Sequence, residues 1–328
     1  MRKKCKYLKN SNDREMNLVL KKIYCIGGAC IDRTLKSLSS LENGTSNPVS
    51  SFTSFGGVAR NVAENLAYWT KEIHLRCAVG NDREGAALLT HMQALGVNTA
   101  GSIVSDKHNT SHFYAALNHE NDLHIAFADM TIYNDISLSQ LTQYHWEEDS
   151  LIFIDTNLPA EIIRYFTHQA KATACKLFVD PVSIIKAQKL TDHLENIFLL
   201  KPNLDEASSL ANMKINSRKD CLKAGRILLE KGVENIVISL GKNGYAMINK
   251  QDAAFFPAIM PRHIFNVNGA GDAFIAGILY GLQQKHALIQ ACQYGAAAAA
   301  FTIESQLTVS QTISAEQLQK RVELYLKQ

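Results

Sequence analysis

The run Asn266-Val267-Asn268-Gly269-Ala270-Gly271-Asp272-Ala273-Phe274 combines two features that together suit group transfer. Gly269, Ala270 and Gly271 leave the backbone bare enough for its N–H groups to approach an anion. The apolar stretch 275–282 behind them reads as a helix, whose first turn offers unpaired amides and the positive end of its dipole. Asp272 falls in that turn. A carboxylate is a poor group for holding phosphate alone, because like charges repel. It suits a base that takes a proton from a hydroxyl while the amides hold the transferring group. The same residue would also serve simply as an acidic residue at a helix start.

Other residues suggest what surrounds such a base. Lys201-Pro202-Asn203-Leu204-Asp205-Glu206 puts Asn203 and Glu206 three apart where a strand passes into a helix. That spacing serves two ends equally: contacts to phosphate and to a hydrated Mg²⁺, Glu206 acting through water, or a helix cap with Glu at its third position. Ser239-Leu240-Gly241-Lys242-Asn243-Gly244 is a second glycine-bearing turn after a strand, open to close backbone approach, although hairpins use the same residues. Upstream, Ser54-Phe55-Gly56-Gly57-Val58-Ala59-Arg60-Asn61 opens an amphipathic helix with Val58, Val62 and Leu66 inward. Its paired glycines admit backbone contact with a neutral polyol or ribose. The segment 80–85 reads as a structural turn. Gly27-Gly28-Ala29-Cys30-Ile31-Asp32 lacks the third glycine of a dinucleotide fingerprint, and no Walker pattern is present, which disfavours a dehydrogenase and a P-loop enzyme.

These residues need a scaffold, and the pattern of elements supplies one. Strand-like runs at 23–26, 73–79, 151–154, 176–179, 197–200 and 236–240 alternate with helical stretches near 57–68, 84–94, 160–174, 204–212 and 217–231. Alternation of this kind predicts an α/β fold, a parallel sheet covered by helices on both faces. Polar residues follow several strands: Asp32, Asp155, Asp180, Asn203 and Ser239. Each alone reads as a turn former; five along one sheet edge read as the rim of a site, because ligands bind at the carboxyl ends of parallel strands. Residues 33–55 and 102–128 break the pattern and read as two excursions able to pair into a lid.

Composition excludes some partners. The chain has 34 Lys+Arg and 31 Asp+Glu, a net charge of +3. Residues 1–22 hold eight basic and two acidic side chains, +6, leaving 26 basic and 29 acidic elsewhere, −3. The basic character therefore belongs to an extension, 1–21, expected to be disordered, and the body at 22–328 carries no basic groove for nucleic acid. Seven scattered cysteines without CxxC argue against a disulfide framework or zinc site and fit a reducing cytoplasm. No apolar stretch has membrane-spanning length.

Gly56-Gly57 with Asn61, followed by Gly269-Ala270-Gly271-Asp272, resembles the ribokinase-like (PfkB) carbohydrate kinases over residues 22–325 or so. The resemblance implies a three-layer α/β/α sandwich with a mostly parallel central sheet, a small β lid, and Mg²⁺ with ATP as phosphoryl donor. Carried over by position, Asp32, Gly56, Gly57 and Asn61 would hold substrate hydroxyls, Asp272 would be the base, and Gly269, Ala270 and Gly271 the anion hole. Asn203 and Glu206 would serve the Mg²⁺–phosphate region. Ser239, Gly241, Gly244 and the Ala-rich segment around Ala297 would flank the nucleotide. Within the family, Gly56–Ala67, Asn109-Thr110-Ser111, Asp155-Thr156-Asn157 and Val179–Ser183 with Lys186 are similar to the pseudouridine kinase subgroup. That adds Thr110, Ser111 and Asn157 to the substrate side, although Thr110 and Ser111 also read as an exposed polar strand and Lys186 as a solvated lysine. Asn157 stands where many sugar kinases carry Glu, and a neutral amide both donates and accepts. The implied reaction is transfer to the 5′-hydroxyl of pseudouridine, with ribokinase, adenosine kinase or hexose kinase activity as alternatives and a non-catalytic nucleoside sensor as a reading of another class. A lid often makes the dimer contact in this family, so a homodimer is an expectation too. Asn266-Val267-Asn268 replaces the family's Asp-Thr-Thr, which leaves K⁺ only a minor expectation.

Overall fold

A computed structural model describes residues 21–142, 147, 149–173 and 175–327; the expected extension, Cys5 included, lies outside the described residues apart from Lys21. Along the chain the strands are β1 (Ile23–Ile26), β2 (Cys30–Ser37), β3 (Val49–Gly56), β4 (Ile73–Arg76), β5 (Ala78–Gly80), β6 (Ile103–Ser105), β7 (His112–Leu117), β8 (Leu123–Asp129), β9 (Leu151–Asp155), β10 (Lys176–Asp180), β11 (Leu199–Leu200), β12 (Asn235–Ser239), β13 (Tyr245–Asn249) and β14 (Ala253–Phe256). The helices are α1 (Val58–Ala67), α2 (Arg83–Ala94), α3 (Leu138–Thr142), α4 (Ala160–Ala172), α5 (Ile184–Ala187), α6 (Leu204–Leu210), α7 (Arg218–Glu230), α8 (Ala270–Gln283), α9 (Leu288–Ile303) and α10 (Ala315–Leu326).

Eight strands form the central sheet in the order β14-β13-β12-β11-β10-β9-β1-β4, and all run parallel except β13, which is antiparallel to both of its neighbours near one edge. Its strands are apolar on both faces because both are covered. Ile23, Cys25, Phe153 and Phe178 point into a core shared with α1, α8 and α9, while Tyr24, Ile26, Ile154 and Val179 point into a second core with α4, α6 and α7. The result is an α/β/α sandwich. Strands from the two polar excursions pair into a separate four-stranded sheet, β3-β2-β7-β8, whose β8 is exposed along its whole length.

Two expected strands differ in detail. The run 73–79 is split: β4 stays in the central sheet, whereas β5 leaves it after Cys77 to pair with β6. Of 197–200 only Leu199 and Leu200 make ladder contacts. Asp32 lies inside β2 rather than in a turn after β1.

α8 and α9 approach closely through glycines. A Cβ on Gly277 would lie 2.6 Å from the Tyr294 carbonyl oxygen, and one on Gly295 would lie 2.6 Å from that of Phe274. Gly277→Ala should therefore destabilise the fold by about 1–3 kcal/mol through overpacking, read as a lower denaturant midpoint with an unchanged slope. An unchanged midpoint would mean the helices separate freely.

Candidate active site

At the carboxyl edge of the sheet the polar strand ends stand side by side. Asp155 pairs in register with Asp180, and Asn203 bridges to Ser239. The fully buried Asp155 carboxylate accepts from Gly28 N (2.7 Å), Ala59 N (3.0 Å) and Asn157 N (2.9 Å), joining the turn after β1, the start of α1 and the end of β9. Burial pushes its carboxyl up, and the amides from Gly28 and Asn157 pull it back.

The start of α8 faces this edge. Gly269 caps the helix in the left-handed region (φ 78°), where a Cβ would also lie 2.0 Å from the Thr308 carbonyl oxygen. Ala270 and Gly271 begin the first turn, whose amides have no intrahelical partner. Asp272 follows, and its Oδ2 accepts a 2.7 Å hydrogen bond from Asn61 Nδ2 of α1, 211 residues away. Burial raises the Asp272 carboxyl to about 7; the Asn61 bond and Lys201 oppose that rise, while Asp180 and Asp155 add to it. Such a group gains and loses its proton near neutral pH.

The ammonium of Lys201 stands at the same end of the site. It pairs with Asp180 at 2.9 Å and sits beside Gly271, whose added Cβ would approach it to 3.2 Å. Burial alone would lower this lysine, but Asp180, with Asp272 and Glu206 nearby, outweighs it and holds it charged. Asn203 and Glu206 form the capping box that their spacing allows: Asn203 Oδ1 accepts from Glu206 N, and Glu206 Oε2 from Asn203 N. Glu206 is raised by burial and by Asp180, with its Oε1 left over.

The opposite end is bounded by Asp32, Gly56, Gly57 and Asn157. Gly57 (φ 96°) packs against the Gly28 backbone, and a Cβ on Gly56 would strike the Asp32 carboxylate. Asp32 is raised by burial and held back by the Cys30 thiol, 3.2 Å away, and by Arg60. Lys186 is not the solvated lysine its position on a short helix suggests: its Nζ donates to Asn157 Oδ1, and burial lowers it. It is brought there by a turn in which Val182 takes a left-handed φ of 62°, a conformation costing a β-branched residue on the order of 1–3 kcal/mol. Asp180 Oδ1, accepting from Val182 N at 2.8 Å, and Thr156 Oγ1, donating to Pro181 O, hold that turn.

Other expected residues sit elsewhere. Thr110 is buried with its hydroxyl engaged by Asp82 and Gly80 N, so it closes the turn at the start of α2 rather than presenting a donor to a ligand. Ser111 is likewise buried rather than on an exposed strand, and its Oγ has no partner. Ser239, Gly241 and Gly244 form the tight connection from β12 to β13. Ala297 is fully enclosed in α9 within the core. The larger cavity, about 800 Å³ and lined by Trp69, Lys71, Glu72 and His74, opens at the other end of the sheet, before β4. Arg60 and Lys201 are the neighbours of the site that sequence reasoning missed, and Lys186 reads as a solvated lysine despite its place in a matching motif; Lys201, directly before Pro202-Asn203, carried the one local signal, a cation at a strand end.

The pfkB family carbohydrate kinase profile matches residues 20–315. Pseudouridine kinase of Escherichia coli (strain K12) is 30% identical over 300 residues, covering 89% of this chain and 95% of that protein. A carbohydrate kinase from Agrobacterium tumefaciens superposes with a TM-score of 0.79 at 28% identity, over 93% of this chain and 98% of that one. Arabidopsis thaliana ribokinase, solved with ribose and ATP, gives a TM-score of 0.79 at 17% identity over 93% and 99%. The chain belongs to the pfkB family of carbohydrate kinases, phosphotransferases that move a phosphoryl group from ATP to an alcohol hydroxyl of a sugar or nucleoside.

Proposed function

We propose that this kinase phosphorylates the 5′-hydroxyl of pseudouridine, giving pseudouridine 5′-phosphate and ADP. The observation that carries the substrate is the full-length likeness to pseudouridine kinase. The Asn157–Lys186 pair supports it, since it supplies neutral and cationic donors where a sugar-only site would carry an acid.

Asp32, Gly57 and Asn61 orient the ribose so that its 5′-hydroxyl points at Asp272, which accepts the hydroxyl proton. The amides of Gly269, Ala270 and Gly271, with Lys201, stabilise the charge on the transferring group, so that positioning and electrostatics supply most of the acceleration. Ser239, Gly241 and Gly244 border the nucleotide. Glu206 fits Mg²⁺ held through water: one carboxylate oxygen remains outside the capping box, and no group of three or more ligating acidic, His or Cys side chains occurs among the described residues. The ion would neutralise phosphate charge. Nothing in the reading needs K⁺, for Asn266 and Val267 offer neither charge nor hydroxyl. The four-stranded sheet acts as a lid that excludes water, and its exposed Phe52, Phe113, Ile125 and Phe127 suit a homodimer contact. Six buried free cysteines among the described residues accord with a cytoplasmic setting.

Coupled measurement of ADP formation with pseudouridine, uridine, adenosine, ribose and fructose should give the highest kcat/KM for pseudouridine; a higher value for any other would reassign the substrate. Asp272→Asn should bind nucleoside normally and lose roughly 10²–10⁴-fold in turnover; retained turnover would remove Asp272 from its role, whereas nucleoside binding by the wild type without any ATP turnover would revive a sensor. Because the base must be ionised, wild-type kcat/KM should fall as pH drops through about 7. A profile flat down to pH 5 would contradict that assignment.

A further inference from the structure

Asn61 presents Asp272 with an amide whose two ends are chemically opposite. Its Nδ2 faces the carboxylate, at 2.7 Å, and its Oδ1 accepts from the Arg60 guanidinium. Arginine has only donors and keeps its proton, so the end of Asn61 that meets it has to be the oxygen. We infer that Arg60, seated on Glu64, is a positioning residue that locks the Asn61 amide with its N–H₂ group toward Asp272. The inference rests on Asp272 acting as the base.

The guanidinium is unusually well fixed for this purpose. Arg60 is 2% exposed; its Nε donates to Gly56 O (3.2 Å), one terminal nitrogen to Phe55 O (2.8 Å), and the other pairs with Glu64. Glu64 Oε1 in turn meets His91 Nε2 of α2 at 3.2 Å and Tyr68 Oη at 3.5 Å. A buried ion pair between residues one turn apart is a weak stabiliser and joins no distant elements. What it does accomplish is to place five donors beside the turn that carries Gly56 and Gly57.

The charges facing these groups are few. Around Asp272 stand Asp180, Asp155 and Lys201, and around Arg60 stand Glu64 and Asp32; the 307–311 segment near Arg60 and Glu64 carries no charge. Against the burial that drives Asp272 up, the Asn61 bond is the foremost opposing influence, ahead of Lys201. An inverted amide would set oxygen against carboxylate and favour the protonated, inactive acid.

The test is the pH profile of kcat/KM in Arg60→Gln, whose carbonyl tolerates an inverted Asn61, and in Arg60→Lys, which remains a donor-only cation. The acidic limb should move up by about one pH unit in Arg60→Gln, roughly a fivefold loss at pH 7 that approaches tenfold at lower pH and fades by pH 9. Arg60→Lys should keep the wild-type limb, and adding Arg60→Gln to Asn61→Ala should move it no further. A loss of equal size at every pH, an unmoved limb in Arg60→Gln, or the same shift in Arg60→Lys would overturn the assignment. If Arg60→Gln does not fold, Arg60→Leu with Glu64→Leu removes both buried charges together and carries the same expected shift. Turnover retained by Asp272→Asn would instead reject the base itself, so the two failures are distinct.

Discussion

One buried carboxylate organises the site. Asp155 accepts hydrogen bonds from Gly28, Ala59 and Asn157, amides that belong to three separate turns of the chain. A carboxylate without such partners would be costly to bury, and amides pointing at it would be costly without the carboxylate. Each side therefore fixes the other, and the geometry of β1, α1 and β9 is set at one point. Since α1 also carries Asn61, the position of that side chain relative to Asp272 is inherited from Asp155. The proposed substrate wall and the proposed base are held in a common frame by a residue assigned to neither.

Around this frame, like charges are brought closer than they would lie in water. Asp155, Asp180, Glu206 and Asp272 share one edge, with Lys201 as the buried cation among them. Burial raises the carboxyls of Asp155, Glu206 and Asp272, and neighbouring acids add to the rise at Glu206 and Asp272. Such an arrangement is poor for stability and useful for catalysis, because a carboxyl poised near neutrality changes its proton readily. It also gives Lys201 a double role, offsetting the acids and lying next to the anion-binding turn.

Much of this was legible in the sequence. Apolar runs ending in Asp155 and Asp180 pointed to the parallel sheet and to its polar carboxyl edge, and the Gly-Ala-Gly-Asp run to the helix start that faces it. What stayed hidden depends on contacts that local pattern does not encode. Asn203 and Glu206 fit a cap and a phosphate contact by the same spacing. Lys186 looked solvated because its burial follows from a left-handed Val182, and β-branched residues are the ones sequence reasoning least expects there. The burial of Arg60 is hidden because an arginine on an amphipathic helix ordinarily faces water. Ala297 shows another limit: an alanine block says helix, but not which way the helix faces. The break after Cys77 was invisible because β-branched and apolar residues continue through it.

The glycine contact between α8 and α9 has a consequence for how this enzyme adapts. With Gly277 and Gly295 in backbone contact, and Gly269 against Thr308, the catalytic helix is welded to the body of the protein. The four-stranded sheet is the other extreme, its long β8 exposed along its whole length. Substitutions are therefore tolerated least along the α8–α9 contact, where one added methyl meets backbone, and most along that open strand.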